Sequence, residues 1–96
     1  MDSKTRAKLR GIASTISPTV IIGKDGVTEN VIKQISMDLD ARELVKITVL
    51  ENDIDYKQLL NELATELNAE PVCSIGKKLV LYRYSSKKKN NHVLGE

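Results

Sequence analysis

The apolar residues of this 96-residue chain change their spacing repeatedly, and that alternation constrains the fold more than any other feature. Three segments place apolar side chains three and four residues apart, which is typical of amphipathic helices. Four short segments are wholly apolar or alternate with polar residues, which is typical of strands. The predicted elements are helices Lys4–Thr15, Glu29–Ala41 and Tyr56–Leu67, and strands Val20–Ile22, Leu44–Leu50, Val72–Ile75 and Leu79–Tyr84.

The predicted order α-β-α-β-α-β-β indicates an α/β fold. Strands that are separated by a helix must cross over, and right-handed crossovers give parallel neighbours when such strands pair. The last two strands are separated only by a short turn, Gly76-Lys77-Lys78, so they form an antiparallel hairpin. We therefore expect two layers, with the helices packed on a four-stranded mixed sheet, and we expect the first strand to be buried because all its residues are apolar.

Residues 1–84 hold all of these elements and form the predicted domain. Residues 85–91 begin with Ser and Lys and have nothing to bury, and we expect residues 85–96 to be a basic flexible tail in which His92 is solvated.

The core of such a domain must be aliphatic, because the chain has no Trp, no Phe and only three Tyr. The single Cys excludes a disulfide framework and a Cys-based zinc site, and it suits a reducing cytosol. Cys73 itself is expected to be a small buried hydrophobic residue. The N-terminus lacks the apolar stretch of a signal peptide, and no apolar run is long enough to span a membrane. We therefore expect a cytoplasmic protein. We also expect it to be a monomer.

Charge is distributed unevenly, although the formal net charge is only +2. Residues 1–24 carry five cations against one carboxylate, and residues 71–96 carry six cations against one carboxylate. Residues 50–70 carry six carboxylates against one Lys. If the two basic ends meet in space, the protein has one positive and one negative face, which is the electrostatic pattern of a protein that binds polyanions. An ordinary solvated surface with a basic tail is an equally good explanation of the charge pattern alone.

A Gly-Lys-Asp-Gly segment, residues 23–26, lies between a predicted strand and a predicted helix. Glycine permits positive φ and lets the backbone of a ligand approach closely. The helix capped by Thr28 presents unpaired N–H groups, a natural phosphate site, and Lys24 adds a positive charge that Asp25 offsets. A simple tight turn is the alternative explanation, and the spacing matches neither a P-loop nor a dinucleotide-binding motif.

Five segments together resemble a known family in their order and spacing. They are Leu9–Ala13, Pro18, Ile22–Glu29, Arg42–Ile47 and Ile75–Arg83. Across residues 3–84 the chain is similar to the YhbY-like proteins, the bacterial stand-alone form of the CRM (chloroplast RNA splicing and ribosome maturation) domain. The resemblance implies an RNA-binding domain with a fold like the C-terminal domain of bacterial translation initiation factor three. It also implies ribosomal RNA as the partner, because bacterial members are associated with precursors of the large ribosomal subunit.

The predicted RNA-binding residues come from the first helix, the glycine loop, the cap of the second helix and the hairpin turn. They are Lys4, Arg6, Lys8, Arg10, Gly23, Lys24, Asp25, Gly26, Thr28, Lys77 and Lys78. We expect both basic ends of the chain to converge around the glycine loop. Tyr82 and Tyr84 are more consistent with packing than with base stacking.

Catalysis is not expected, because the sequence shows no nucleophile with a partner base, no cluster of metal ligands and no nucleotide motif. We therefore predict no enzyme activity, no cofactor and no metal. The alternative function is a protein-interaction module whose acidic middle segment binds a basic ribosomal protein or translation factor.

Overall fold

Seven elements follow one another in the predicted order in the computed structural model, which describes residues 1–95. They are α1 (Ser3–Ala13), β1 (Val20–Ile22), α2 (Glu29–Arg42), β2 (Leu44–Val49), α3 (Tyr56–Leu67), β3 (Glu70–Ile75) and β4 (Lys78–Tyr82). The element bounds lie within two residues of those predicted from the sequence.

Each helix begins at a short polar side chain that the sequence marks as its cap. The side-chain oxygens of Asp2, Thr28 and Asp55 accept hydrogen bonds from the backbone N–H three residues later, at 2.8, 3.2 and 3.0 Å. Each such bond satisfies one of the free N–H groups of a first turn and stabilises its helix by about 1 kcal/mol. The caps therefore fix where each loop ends and each helix begins.

The four strands form one mixed sheet in the order β1-β2-β4-β3, which confirms the predicted sheet. The strands β1 and β2 are parallel, whereas β4 is antiparallel to both β2 and β3. The carboxyl ends of β1 and β2 and the β3–β4 turn therefore lie at the same end of the sheet, which we call the loop end. Both edge strands are irregular or short, since β1 has three residues and β3 shifts register between Pro71 and Cys73.

The helices lie on both faces of the sheet, so the expected two-layer arrangement is wrong in this detail. The helices α2 and α3 pack on the face formed by alternate residues of the strands, such as Val45 and Ile47. The helix α1 packs Leu9 and Ala13 on the other face, against residues that include Val80. The physical reason is that the second face of the sheet also carries apolar residues, among them Leu44, Val72 and Val80, and α1 covers them.

The segment after β4 makes specific contacts with the rest of the domain. Ser85 is buried, and the Glu43 carboxylate, which is 0% exposed, accepts hydrogen bonds from the Ser85 N–H at 2.8 Å and the Val93 N–H at 2.8 Å. His92 Nδ1 lies 2.6 Å from Glu43 Oε2, and only 6% of the His92 side chain is exposed. Val93 and Leu94 pack on the apolar cluster beneath α1.

The expectation that residues 85–91 have nothing to bury is therefore wrong for Ser85, and the expectation of a solvated His92 is also wrong. The physical reason lies in β2 and α2, because the buried carboxylate of Glu43 needs polar partners and the tail supplies them. The division of the chain at residue 84 stays a prediction. Within residues 1–95, none of the helices combines the length and the hydropathy that crossing a membrane would require.

Candidate functional site

The Gly23–Gly26 loop directly follows β1 and connects it to α2 at the loop end of the sheet. The Gly26 N–H donates a hydrogen bond to the Gly23 carbonyl at 3.0 Å, which closes a tight turn. Lys24 and Asp25 occupy the tip of that turn and are both exposed. The loop therefore presents one cation and one anion to solvent, as its sequence predicts.

The two glycines of the loop have different roles in the fold. Gly26 has a φ of +73°, a conformation that strains any residue with a Cβ. Gly23 has no such φ, and a Cβ added there would have no other atom within 4 Å. The fold thus requires glycine at Gly26 only, whereas glycine at Gly23 leaves the backbone open to an approaching molecule.

Thr28 ends the loop and positions the N-terminus of α2. Its hydroxyl oxygen accepts the Val31 N–H at 3.2 Å, so its first role is that of a cap. The helix that follows presents a partial positive charge beside the loop, although Glu29 occupies its first turn. The arrangement can hold an anion through backbone N–H groups.

The β3–β4 turn is joined to the same end of the sheet by backbone hydrogen bonds. The Val49 N–H donates to the Lys77 carbonyl at 2.8 Å, and the Leu50 N–H donates to the Ile22 carbonyl at 2.9 Å. Lys77 is exposed and Lys78 is half-buried. The structure therefore brings Lys77 and Lys78 to the end of the sheet that carries the glycine loop.

The predicted cations of α1 lie on the face of the sheet opposite α2 and α3. Lys4, Lys8 and Arg10 are exposed. Arg6 is half-buried and borders a groove between α3 and β3, which Lys57 also lines. The Nε atom of Arg6 is buried and has no hydrogen-bond partner among residues 1–95. The structure thus places Arg6 at the β3 edge, which is the edge of the sheet farther from the glycine loop.

The opposite side of the glycine loop is acidic. A cavity between the loop and α3 is lined by Gly26 and Val27 and also by Glu51, Asp55 and Glu62. Three carboxylates there disfavour a polyanion on the α2–α3 side of the loop. An anionic chain held at the loop is therefore directed toward the α1 side of the sheet.

The basic residues that follow β4 do not join the loop end, so the expected convergence of both basic ends is wrong for the tail. The strand β4 runs away from the loop end, and Arg83 and Lys87 bind Asp40 at 3.2 and 2.9 Å. The Lys87 hydrogen bond and the charges of Lys87 and Arg83 lower the pKa of Asp40 from its ordinary value, against a weaker opposing effect of burial. Both cations are therefore paired with Asp40, away from the loop end.

Three features of the surface and core were not predicted. One is the burial of the Glu43 carboxylate. The only sign of it in the sequence is the position of Glu43 between a helix and an apolar strand. Another is Arg83, which donates to the Leu67 carbonyl at 2.8 Å and so joins the ends of β4 and α3. The third is Ile21, which is 60% exposed although β1 was expected to be buried. A three-residue strand gives too short a pattern to show that only one of its faces is covered.

The described residues offer little chemistry beyond binding. Cys73 is half-buried, and burial raises the pKa of its thiol, so it is neutral near pH 7. The nearby cations Arg10 and Lys46 oppose this shift only in part. Among residues 1–95 there is no group of three or more His, Cys, Asp or Glu side chains placed to hold a metal ion.

The sequence is similar to proteins of one family along nearly its whole length. Residues 1–83 match the CRS1 / YhbY (CRM) domain. A Haemophilus influenzae protein named RNA-binding protein is 38% identical over 90 residues, which are 93% of this chain and 91% of that protein. The Bacillus subtilis protein named probable RNA-binding protein YqeI is 37% identical over 90 residues, which are 93% of this chain and 94% of that protein.

A solved structure has the same fold. The solution structure of the hypothetical protein SAV1595 from Staphylococcus aureus matches with a TM-score of 0.82 and 41% sequence identity. The match covers 93% of this chain and 94% of that chain. The arrangement of sheet and helices described above is therefore shared with a relative.

Proposed function

Because the chain belongs to the CRS1 / YhbY (CRM) domain family, we propose that it is a non-catalytic RNA-binding protein of the cytoplasm. Its relatives are named for RNA binding and for no enzymatic activity. The more specific part of the proposal is that the RNA is ribosomal RNA in precursors of the large subunit. The resemblance to YhbY-like proteins supports that choice of RNA.

The observation that carries the proposal is the assembly of backbone donors and cations at the loop end. The Gly23–Gly26 loop, the N-terminus of α2 and the β3–β4 turn all lie at this end, and Lys24 and Lys77 are exposed. Helix N-termini and lysine side chains both bind phosphate, the first through N–H groups and the second through charge. We propose that one backbone phosphate lies on the loop and that flanking phosphates lie on the lysines.

The proposed contact residues are those that the sequence singled out. They are Lys4, Arg6, Lys8, Arg10, Gly23, Lys24, Asp25, Gly26, Thr28, Lys77 and Lys78. Their proposed roles differ, since Thr28 acts by positioning α2 and Asp25 limits the affinity of the loop. Contacts of this kind bind the RNA backbone and carry little sequence information.

Salt dependence tests the proposal directly. If about five phosphates of single-stranded RNA are neutralised, log K falls with log salt at a slope near −3.5. Fluorescence anisotropy with a labelled 12-nucleotide RNA across a salt series measures that slope. An affinity that does not change with salt would contradict a phosphate-based interface.

The choice of ribosomal RNA has its own test. A lysate is separated by sedimentation, and the chain is detected across the fractions. We expect it with precursors of the large subunit, and expect ribonuclease treatment to release it. A chain that remains at the top of the gradient would contradict the ribosomal proposal and leave RNA binding itself standing.

A further inference from the structure

One row of residues crosses all four strands at the loop end, on the face that carries α1. Ile21 pairs with Thr48, Thr48 with Lys78, and Lys78 with Ile75. Ile21 and Ile75, at the two ends of the row, are 60% and 61% exposed. With strands about 4.8 Å apart, the row spans about 14 Å of sheet. We call Ile21, Thr48, Lys78 and Ile75 the open row.

The open row is the part of this sheet face that α1 leaves uncovered. Farther along the same strands, Leu44, Val72 and Val80 are buried under α1. Leu50, which follows β2 at the loop end, is 52% exposed and adds to the apolar surface. Single exposed apolar residues are common on protein surfaces, whereas here three lie at one end of the sheet, Ile21 and Leu50 near one edge and Ile75 at the other, with Thr48 and Lys78 between them.

The charges around the open row indicate what can bind there. Lys78 lies within the row, Lys77 lies in the adjoining turn, and Lys24 lies in the loop that follows β1. Carboxylates line the other side of the loop, where Glu51 and Glu62 border the cavity against α3. A surface that combines exposed apolar side chains with neighbouring lysines is complementary to a ligand that has apolar faces and negative charges.

We propose that the open row contacts unstacked bases of single-stranded RNA whose phosphates lie on the loop and the neighbouring lysines, an inference that rests on the proposed function. Bases expose their apolar faces only when they leave the helical stack, so a duplex cannot use the row. A four-stranded sheet face accommodates two or three bases in other RNA-binding folds. Because Ile21 and Ile75 are aliphatic, the contact is a van der Waals one and discriminates little between bases.

Single-tryptophan variants test this inference, because the chain contains no Trp. The variants are Ile21→Trp and Ile75→Trp in the open row and Met37→Trp as a matched control, since Met37 is 71% exposed on α2, on the other face. Each is titrated with a 12-nucleotide single-stranded RNA of mixed sequence and with a 12-base-pair RNA duplex. We expect the single strand to quench the fluorescence of both row variants and to leave the control unchanged.

A loss-of-contact variant provides a second measurement. Ile21→Thr combined with Ile75→Thr keeps β-branched residues in the strands, and we expect it to lower affinity for the single strand about tenfold. The slope of log K against log salt should stay unchanged because no phosphate contact is removed. Affinity for the duplex should also stay unchanged, and a thermal melt verifies that the variant is folded.

The outcomes separate this inference from the proposed function. Single-stranded RNA that binds without quenching the row variants, or quenches the Met37→Trp control equally, overturns the inference and leaves RNA binding intact. A duplex that quenches the fluorescence of the row variants as strongly as the single strand does also overturns the proposed contact with unstacked bases. If the unsubstituted protein forms a dimer and the double Thr variant does not, the open row binds a second copy of the chain, and the inference is overturned. An unsubstituted protein that binds neither RNA overturns both proposals.

Discussion

At the scale of single residues, the side chain of Glu43 joins the end of α2 to the segment that follows β4. Glu43 has a φ of +68° at the end of α2, and its carbonyl accepts the Arg83 N–H at 2.9 Å. Burial alone would raise the pKa of its carboxyl group. Hydrogen bonds from the Ser85 N–H, His92 and the Val93 N–H outweigh that effect and lower the pKa below its ordinary value. The ionised carboxylate is therefore a structural group.

Replacing this carboxylate by an amide should destabilise the domain. Glu43→Gln removes the charge and leaves buried N–H groups without a full set of acceptors, so we expect a loss of about 2–4 kcal/mol in the free energy of unfolding. Urea denaturation measures the change. The control is Glu62→Gln, an exposed carboxylate on α3, which should change stability by less than about 0.5 kcal/mol.

The difference between the native protein and Glu43→Gln should also depend on pH. A carboxyl group whose pKa is lowered on folding contributes stability above its unfolded pKa, which is about 4.3 for Glu. That contribution is lost as the pH falls through the lowered pKa. The stability difference should therefore shrink as the pH falls below about 5. A difference that stayed the same down to pH 2 would show that Glu43 does not act through its charge.

The two loop glycines allow fold and binding to be separated. Gly26→Ala should cost about 1–2 kcal/mol of stability, because only glycine adopts its φ without strain. Gly23→Ala should leave the melting temperature unchanged and lower RNA affinity about tenfold, the equivalent of one hydrogen bond to a charged group. Thermal melts and anisotropy titrations measure the two effects. If the Gly23→Ala variant binds RNA with full affinity, the RNA backbone does not approach Gly23 closely, and that part of the proposed interface is wrong.

At the scale of helices and strands, the sequence predicts order and bounds well because the signals are local. Caps such as Thr28 and Asp55 and the periodicity of α3 depend only on residues a few positions apart. Which face of the sheet a helix covers depends on contacts between distant segments. Local patterns therefore located α1 correctly along the chain and could not place it on the opposite face from α2. The same limit applies to the open row and to the tail, whose partners are distant in sequence.

The two basic segments at the C-terminal part of the chain are expected to differ in RNA binding. Lys77→Ala with Lys78→Ala should reduce the magnitude of the salt slope by about 1.4, which corresponds to two phosphate contacts on a single strand. Lys87→Ala with Lys88→Ala is a matched control, because Lys87 binds Asp40 and both lie beyond the opposite end of β4. Equal effects of the two double variants would contradict the assignment of RNA binding to the loop end.

At the scale of the whole molecule, the helices on the two faces of the sheet differ in net charge. The cations of α1 lie on one face, and the exposed carboxylates Glu62 and Glu66 of α3 belong to the helix layer on the other. The sequence shows the same asymmetry of charge as basic and acidic segments along the chain, and in the fold the basic first segment and the acidic middle segment lie on different faces of the sheet. Arg83 and Lys87 are exceptions because both form ion pairs with Asp40. Block charge along the sequence therefore does not show which cations are paired with carboxylates in the fold.

Neutralising the acidic residues distinguishes the RNA-binding proposal from docking of a basic protein. The variant carries Glu62→Gln, Glu66→Gln and Glu70→Gln, and we expect its RNA affinity to be unchanged or to rise by up to about threefold as repulsion falls. Anisotropy at 50 mM and 150 mM salt measures it. Reduced RNA affinity would contradict the proposed side of approach, and loss of a basic protein partner in the same variant would favour the docking function.

The irregular borders of the sheet affect how the folded protein behaves in concentrated solution. A strand border templates further strands only where it is long, flat and rich in free N–H groups. Here β1 offers three residues, and β3 carries Pro71, which has no N–H, beside a shift in register. These two edge strands thus present no long ladder on which copies of the protein could add, so we expect the native protein to stay dispersed and to enter cross-β fibrils only after it has unfolded.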